Sequence, residues 1–322
     1  GGRVVGVGGG MWCAAGLRGE TVHMGVAQGA IGAPSPTRTA ALGALSLAML
    51  AWGVTGVVAK SVDMGGMALA AYRTSVGALA LIGILYATGR RLTWSSFRIG
   101  FPGGLFLGCD LVLFFTAVKL TTVANATVIG ALQPALVIVL GPLLRERVAR
   151  GAMGWAAVGI VGTATVVFGA SGLPDWSPAG DLLAVLTLFA WTGYFIVSRR
   201  VRGRLGAVEY STVTAIVASG LAWPAALIAG QDVSWPAWDS WGWIVMLAVV
   251  AGIGGHFLMS WSIPHVPLWA SSTMSLSIPV ISTVTAAVVL DESVTAVQAL
   301  GMLIVLVALA CAVRVPSASP ST

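Results

Sequence analysis

Long apolar stretches recur along the chain from residue 40 onward, separated by short polar segments. Each has about 20 residues, enough for a helix to cross a hydrocarbon layer of ~30 Å. Backbone amides in lipid must bond within their own segment, and barrel strands would be shorter and alternating, so we expect helices. The pattern predicts an all-α membrane protein with ten spans, at residues 40–60, 65–87, 99–118, 122–144, 152–170, 180–198, 207–229, 241–262, 268–290 and 296–314.

The composition agrees with a chain that lies mostly in lipid. Of the 322 residues, 57% are apolar and 9% are charged, whereas about a quarter are charged in soluble domains. Residues 1–38 are rich in small residues and lack a long apolar run, so we expect a disordered extension or a stretch before the true start, for which Met11 and Met24 are candidates. The Ser- and Pro-rich tail, residues 315–322, is also expected to be disordered.

The basic residues predict the orientation of the chain. A net charge of +6 would suggest nucleic acid if these residues formed a patch, but they lie in short clusters between apolar stretches. Fourteen of the 17 fall on one side of a ten-helix arrangement, Lys60 and Lys119 fall on the other, and Arg73 lies within the second span. Because Lys and Arg are retained in the cytoplasm, we expect a multi-pass protein of the inner cell membrane with both termini cytoplasmic and no nucleic-acid partner.

Motifs of the first five spans recur in the last five. Residues 51–53, Ala-Trp-Gly, correspond to residues 190–193, Ala-Trp-Thr-Gly. Pro134 precedes a loop that contains Glu146, and Pro279, 145 residues later, precedes a loop that contains Glu292. Because five is an odd number, the second copy would enter the membrane from the opposite face. The sequence therefore predicts two inverted five-helix repeats, at residues 40–170 and 180–314.

In this order the motifs resemble the EamA type of the drug/metabolite transporter superfamily, over residues 40–314. Halves of that type carry a Trp-Gly first helix, a Pro-containing fourth helix and a Glu-containing loop before the fifth. In the first half of this chain the distance from proline to glutamate is one residue shorter than in the second. The resemblance implies secondary transport of a small metabolite, often export of an amino acid or related compound, through a cavity lined by the first, third and fourth helices of each half.

Three ionisable residues are candidates for substrate binding or ion coupling. Asp110 lies in the middle of the third span, where a charge costs about 3 kcal/mol or more unless it is paired, hydrated or protonated. It points away from Gly100, Gly104 and Gly108, whose spacing is typical of a close helix contact. A cavity-facing Asp110 and a structural pair with Arg73 both fit the sequence. Arg73 also matches the superfamily's arginine in the second helix, which bridges helices or binds a substrate carboxylate.

His256 occupies nearly the same repeat position as Asp110, 23 residues before Pro279 where Asp110 is 24 before Pro134. We expect both to face the cavity and at least one to exchange protons, with a buried neutral histidine as the alternative.

Other candidates are aromatic, polar or helix-bending residues in the first, sixth, fourth and ninth spans. Aromatic cavity walls are expected from the first and sixth spans, at Trp52, Trp191 and Tyr194. Polar groups of the fourth and ninth spans either contact substrate or serve packing, and they are Asn125, Gln133, Ser271 and Ser275. Pro134 and Pro279 are expected to kink their helices, either as a static bend or as one that moves during transport.

Rival functions have less support in the sequence. The chain carries none of the His-Glu-x-x-His, Gly-x-Ser-x-Gly or phosphate-loop motifs, so an enzyme is not expected and no cofactor is implied. Without a nucleotide-binding motif, the energy would come from a solute or ion gradient, for which we favour protons. A channel or a membrane scaffold is the alternative, and the oligomeric state is left open.

Overall fold

The computed structural model describes residues 37–121, 126, 129–140, 148, 150–169, 177–201, 203–289 and 293–315. Within these residues the chain is helical and contains no strand. A π-helical segment, Leu247–Gly255, and a 3-10 turn, Ile263–His265, accompany the α-helices. The α-helices are α1 Arg38–Gly53, α2 Thr55–Ser61, α3 Gly66–Ala87, α4 Trp94–Leu120, α5 Gln133–Leu140, α6 Arg150–Phe168, α7 Pro178–Arg200, α8 Ala207–Ile228, α9 Trp238–Met246, α10 His256–Ser262, α11 Leu268–Met274, α12 Ser277–Val289 and α13 Ala296–Arg314.

These helices confirm the predicted class of a multi-span helical membrane protein. Nine stretches of the described residues are long and apolar enough to cross a bilayer, and each overlaps a predicted span. The fourth predicted span, 122–144, is described only at residues 126 and 129–140. The expected extension at residues 1–36 and the tail at 316–322 lie outside the described part of the chain, as does Asn125.

Hydroxyl side chains set several of the helix starts. Thr37, Thr93 and Ser177 each accept a bond from the backbone N–H three residues later, at 3.2, 3.0 and 3.2 Å. Thr295 forms a full capping box with Gln298 before α13. Such caps satisfy amides that the first turn of a helix leaves free, so the apolar spans begin at polar, sequence-defined positions.

The predicted glycine seam on α4 packs against α8. A Cβ added at Gly104 would lie 2.5 Å from the Cβ of Val217, and one at Gly108 would lie 3.0 Å from the Cα of Ala218. Only glycine allows this backbone approach, so the seam fixes the rotation of α4. That rotation turns Asp110 away from α8 and toward the centre of the bundle.

Three membrane-spanning stretches are interrupted near their middle. Val54 separates α1 from α2, and a turn at Ser275 and Leu276 separates α11 from α12. A turn at Ala131 and Leu132 precedes α5 in the same way. The first turn ends two residues before Pro134 and the second ends three residues before Pro279, which places a break close to each predicted kink.

Helix contacts follow the predicted repeat. α6 packs on α13, α3 on α8, and α5 on α11, and each of these pairs joins corresponding helices of the two halves. The contact of α4 with α7 is matched by that of α10 with α1. This pairing is what two related halves would give. The inverted arrangement stays a prediction, since the loops at 145–147 and 291–292 lie outside the described residues.

Candidate functional site

A cavity lies where the interrupted helices meet in the middle of the bundle. The volume of this cavity is about 120 Å³. Both halves of the chain line it, through α1 to α4 on one side and α7, α10 and α12 on the other. It gathers seven of the residues singled out in the sequence, namely Trp52, Arg73, Asp110, Trp191, His256, Ser275 and Pro279.

Asp110 is the acidic residue of this cavity. Its side chain is 7% exposed, and no hydrogen bond or ion pair joins it to a described residue. A carboxylate in this position costs several kcal/mol, in order of magnitude, unless something compensates it. Cavity water, a cationic group of a ligand or a bound proton can do so, and each makes Asp110 responsive to what enters the cavity.

Arg73 faces the same cavity from α3 and is 2% exposed. Its guanidinium carbon lies 5.2 Å from the ring centroid of Phe115, in a cation–π arrangement. Among the described residues no ion pair joins it to Asp110. The five N–H donors of the guanidinium therefore remain available to water or to an anionic group of a ligand.

His256 begins α10 and is packed among aromatic rings. Ring centroids lie at 5.1 Å from Trp52, 5.5 Å from Tyr194 and 6.2 Å from Trp191. The side chain is 6% exposed, both ring nitrogens are buried, and neither has a hydrogen-bond partner among the described residues. This position is compatible with both roles expected from the sequence, a group that exchanges protons and a buried neutral histidine.

The aromatic residues form a cluster at one end of the cavity. Trp52 and Trp191 meet edge to face at 4.8 Å. Tyr194 is fully buried behind them, outside the cavity lining, and stacks on Tyr210 at 6.4 Å. Tyr194 therefore packs behind the aromatic side chains that line the cavity and does not line it itself. The sequence pattern could not distinguish these two positions.

The cavity extends from this cluster toward the ends of α2, α4 and α7. There the Lys60 ammonium donates to the Thr121 carbonyl at 3.0 Å, and the Thr121 hydroxyl donates to Asp181 at 2.9 Å. At the opposite end, Arg90 and Glu209 form an ion pair at 2.9 Å, and Arg199 donates to the Ile263 and Val266 carbonyls. Polar contacts thus tie helices together at both ends of the bundle.

The polar residues of the interrupted helices divide between cavity and packing. Gln133 is fully buried beside the break before α5, and its Oε1 lies 3.0 Å from the Ser275 hydroxyl at the other break. Ser271 is buried away from the cavity, and its hydroxyl donates to the Pro267 carbonyl at 3.3 Å. Pro279 lines the cavity, whereas Pro134 is buried outside it.

Among the lining side chains that sequence reasoning missed are Thr55, Phe114 and Thr187. Thr55 lies three residues after Trp52, and Thr187 lies four before Trp191. Such neighbours share a helix face, so the helical period extended from the two tryptophans would have found both threonines. The π-helical segment before His256 had only the glycine-rich run 252–255 as a signal.

Comparison with known proteins identifies a matching family, a similar curated protein and a solved structure of similar fold. The EamA-like transporter family matches the chain twice, over residues 39–168 and 178–314. The uncharacterized transporter YwfM of Bacillus subtilis (strain 168) is 25% identical over 270 residues, which are 82% of this chain and 90% of that protein. One solved crystal structure has a TM-score of 0.73 at 21% identity and covers 86% of this chain and 97% of its own. That last likeness concerns the fold alone.

Proposed function

Because the chain belongs to the EamA-like transporter family, we propose that it is a secondary transporter of a small metabolite in the inner cell membrane. The expected substrate is an amino acid or a related compound, and the expected direction is export. Alternating access between two inverted halves is the proposed mechanism, with both termini in the cytoplasm.

The observation that carries this proposal is the cavity between the two halves. It offers a carboxyl group at Asp110, a guanidinium at Arg73 and the aromatic faces of Trp52 and Trp191. These groups are complementary to a compound with an amine, a carboxylate and an apolar body.

Protons are the proposed coupling ion. Asp110 lacks a partner among the described residues, and a bound proton would remove the cost of its buried charge. A cationic substrate group would do the same, so proton and substrate would compete for one carboxyl group. Such competition is the elementary requirement for exchange of one against the other.

The proposed topology predicts the side of the membrane toward which the cavity extends. The lining continues from the aromatic cluster toward the helix ends tied by Lys60, Thr121 and Asp181. The charge pattern predicts that these ends lie outside the cytoplasm. The conformation described would then be the one that holds its cavity on the outer side, with the aromatic cluster as the barrier toward the cytoplasm.

Uptake by proteoliposomes tests the proposal. The purified full-length protein would be screened against radiolabelled amino acids and related metabolites, with and without an imposed pH gradient. We expect flux that saturates with substrate concentration and accelerates with the gradient. Flux that rises linearly without saturation would favour a channel, and no flux of any metabolite class would favour a scaffold.

A further inference from the structure

The π-helical segment Leu247–Gly255 ends directly before His256. In a π-helix each amide bonds to the carbonyl five residues back, whereas in an α-helix it bonds four residues back. The amide of His256 bonds to the Gly252 and Ile253 carbonyls, four and three residues back. The bond spacing therefore shortens where the π-helical segment meets α10, next to the carbonyl of Ala251.

Trp52 donates a hydrogen bond to this carbonyl from another helix. Its indole Nε1 lies 3.0 Å from the Ala251 carbonyl oxygen, in a buried bond between α1 and the π-helical segment. Ala251 is fully buried and Trp52 is 8% exposed, so water has little access to this carbonyl. Without the indole, the buried carbonyl would lose a hydrogen bond that water cannot replace, which is costly in the middle of a membrane.

Gly255 makes this approach possible. A Cβ added at residue 255 would lie 2.5 Å from the Trp52 Nε1. In the other half, the residue before Asp110 is Cys109, and α4 is α-helical over its whole length. Among the described residues, Trp191 has no indole bond to α4. The tie is therefore particular to the half that carries His256.

We propose that Trp52 is a positioning residue for His256. Its indole N–H stabilises the π-helical turn by pairing with the Ala251 carbonyl, and the turn sets the rotation that points His256 into the cavity. If the segment relaxed to an α-helix, His256 would rotate by roughly 100° relative to α9, one residue's step around the helix. The inference rests on the proposed function only in taking His256 to act from the cavity.

Nuclear magnetic resonance of the full-length protein, labelled with ¹⁵N-histidine, tests the positioning. The chain has three histidines, and a His256→Gln variant assigns the signal of interest. Trp52→Phe keeps an aromatic ring but loses the N–H, and Trp191→Phe is the matched control because it also removes an indole beside His256. We expect Trp52→Phe to displace or split the His256 signal more than Trp191→Phe does. Equal perturbation by the two variants would overturn the proposal.

A one-residue deletion tests the hydrogen bond itself. Removing Gly254 should let the segment close as an α-helix and so remove the π-helical turn that presents the Ala251 carbonyl to the indole. Trp52→Phe should then lower the thermal unfolding midpoint of the natural chain but leave that of the deletion variant unchanged. An equal drop in both backgrounds would contradict the assignment.

Neither measurement uses transport. Absence of solute flux would reject the proposed function while leaving this inference to be decided by resonance and unfolding. If the Gly254 deletion does not fold, the comparison of the two tryptophan variants decides alone.

Discussion

Asp110 and Arg73 have opposite charges and share one buried cavity, yet no ion pair joins them. In a structural pair the two groups would lie at hydrogen-bond distance and would satisfy each other, so neither would be free to bind a ligand. Two separated charges instead leave both groups able to bind what enters. The geometry therefore favours the cavity-facing alternative for Asp110 over the structural pair.

Asp110→Asn should abolish acceleration by the pH gradient. The amide has nearly the same shape as the carboxyl group but cannot exchange a proton at physiological pH. We expect gradient-driven uptake into proteoliposomes to fall to the rate that is measured without a gradient. Exchange of labelled for unlabelled substrate at equal pH is measured beside it, because that reaction needs no pH gradient. Asp239→Asn, at an exposed position near the start of α9, is the control. Gradient-driven uptake that survives in Asp110→Asn would remove this residue from the coupling step.

Some residues of the cavity lining could be predicted from the sequence because a mid-span charge is costly in lipid. This rule selected Arg73, Asp110 and His256, and all three line the cavity. The rule does not say whether Tyr194 or Ser271 faces the cavity, because an uncharged polar residue is tolerated against a neighbouring helix as well as against water. Tertiary packing decides which of these two environments surrounds a hydroxyl group.

Among the elements, two of the interrupted helices are hydrogen-bonded to each other beside the cavity. The bond between Ser275 and Gln133 links the break before α5 to the break after α11. These breaks are the places where each half can bend with the smallest loss of backbone hydrogen bonds. A bond between them makes the bends of the two halves interdependent.

Ser275→Ala should destabilise the protein by about 1 kcal/mol, because it leaves the buried Gln133 amide without this partner. Thermal unfolding of the detergent-purified chain would report the change. Ser271→Ala is the matched control, since that hydroxyl bonds within its own segment, and it should have a smaller effect. Equal midpoints for the two variants would show that the link between the breaks contributes nothing to stability.

Gly104→Ala tests the seam that orients Asp110. The added Cβ would lie 2.5 Å from the Cβ of Val217, so α4 and α8 must separate, at a cost of about 1–3 kcal/mol. Gly83→Ala on α3 is the control, because nothing lies within 4 Å of its added Cβ. We expect a lower unfolding midpoint for Gly104→Ala and an unchanged or higher one for Gly83→Ala. The opposite order would contradict the role of the seam.

The positions of the helices could be predicted from the sequence, whereas the π-helical segment and the helix breaks could not. Lipid allows few alternatives to an apolar helix, so the spans and the α4 seam were predicted close to their observed positions. The π-helical segment was not predicted, because hydropathy over nine residues does not separate the period of a π-helix from that of an α-helix. What stabilises it is Trp52, which lies 199 residues away in the sequence.

For the whole molecule, the proposed alternating access depends on two halves related by a symmetry that inverts one of them. Corresponding helices pair across the bundle, and each half has an interruption two or three residues before its proline, Pro134 or Pro279. A chain of this kind can present one cavity to either side of the membrane by rocking one half on the other.

Side-specific labelling tests this claim most directly. In a variant whose three native cysteines are replaced, single cysteines at Ala149 and Ser293 would mark the corresponding loops of the two halves. A membrane-impermeant thiol reagent applied to intact cells, and then to opened cells, reports the side of each. We predict that residue 293 reacts in intact cells and residue 149 only after opening. Reaction of both residues from the same side would contradict the inverted arrangement and, with it, the proposed mechanism.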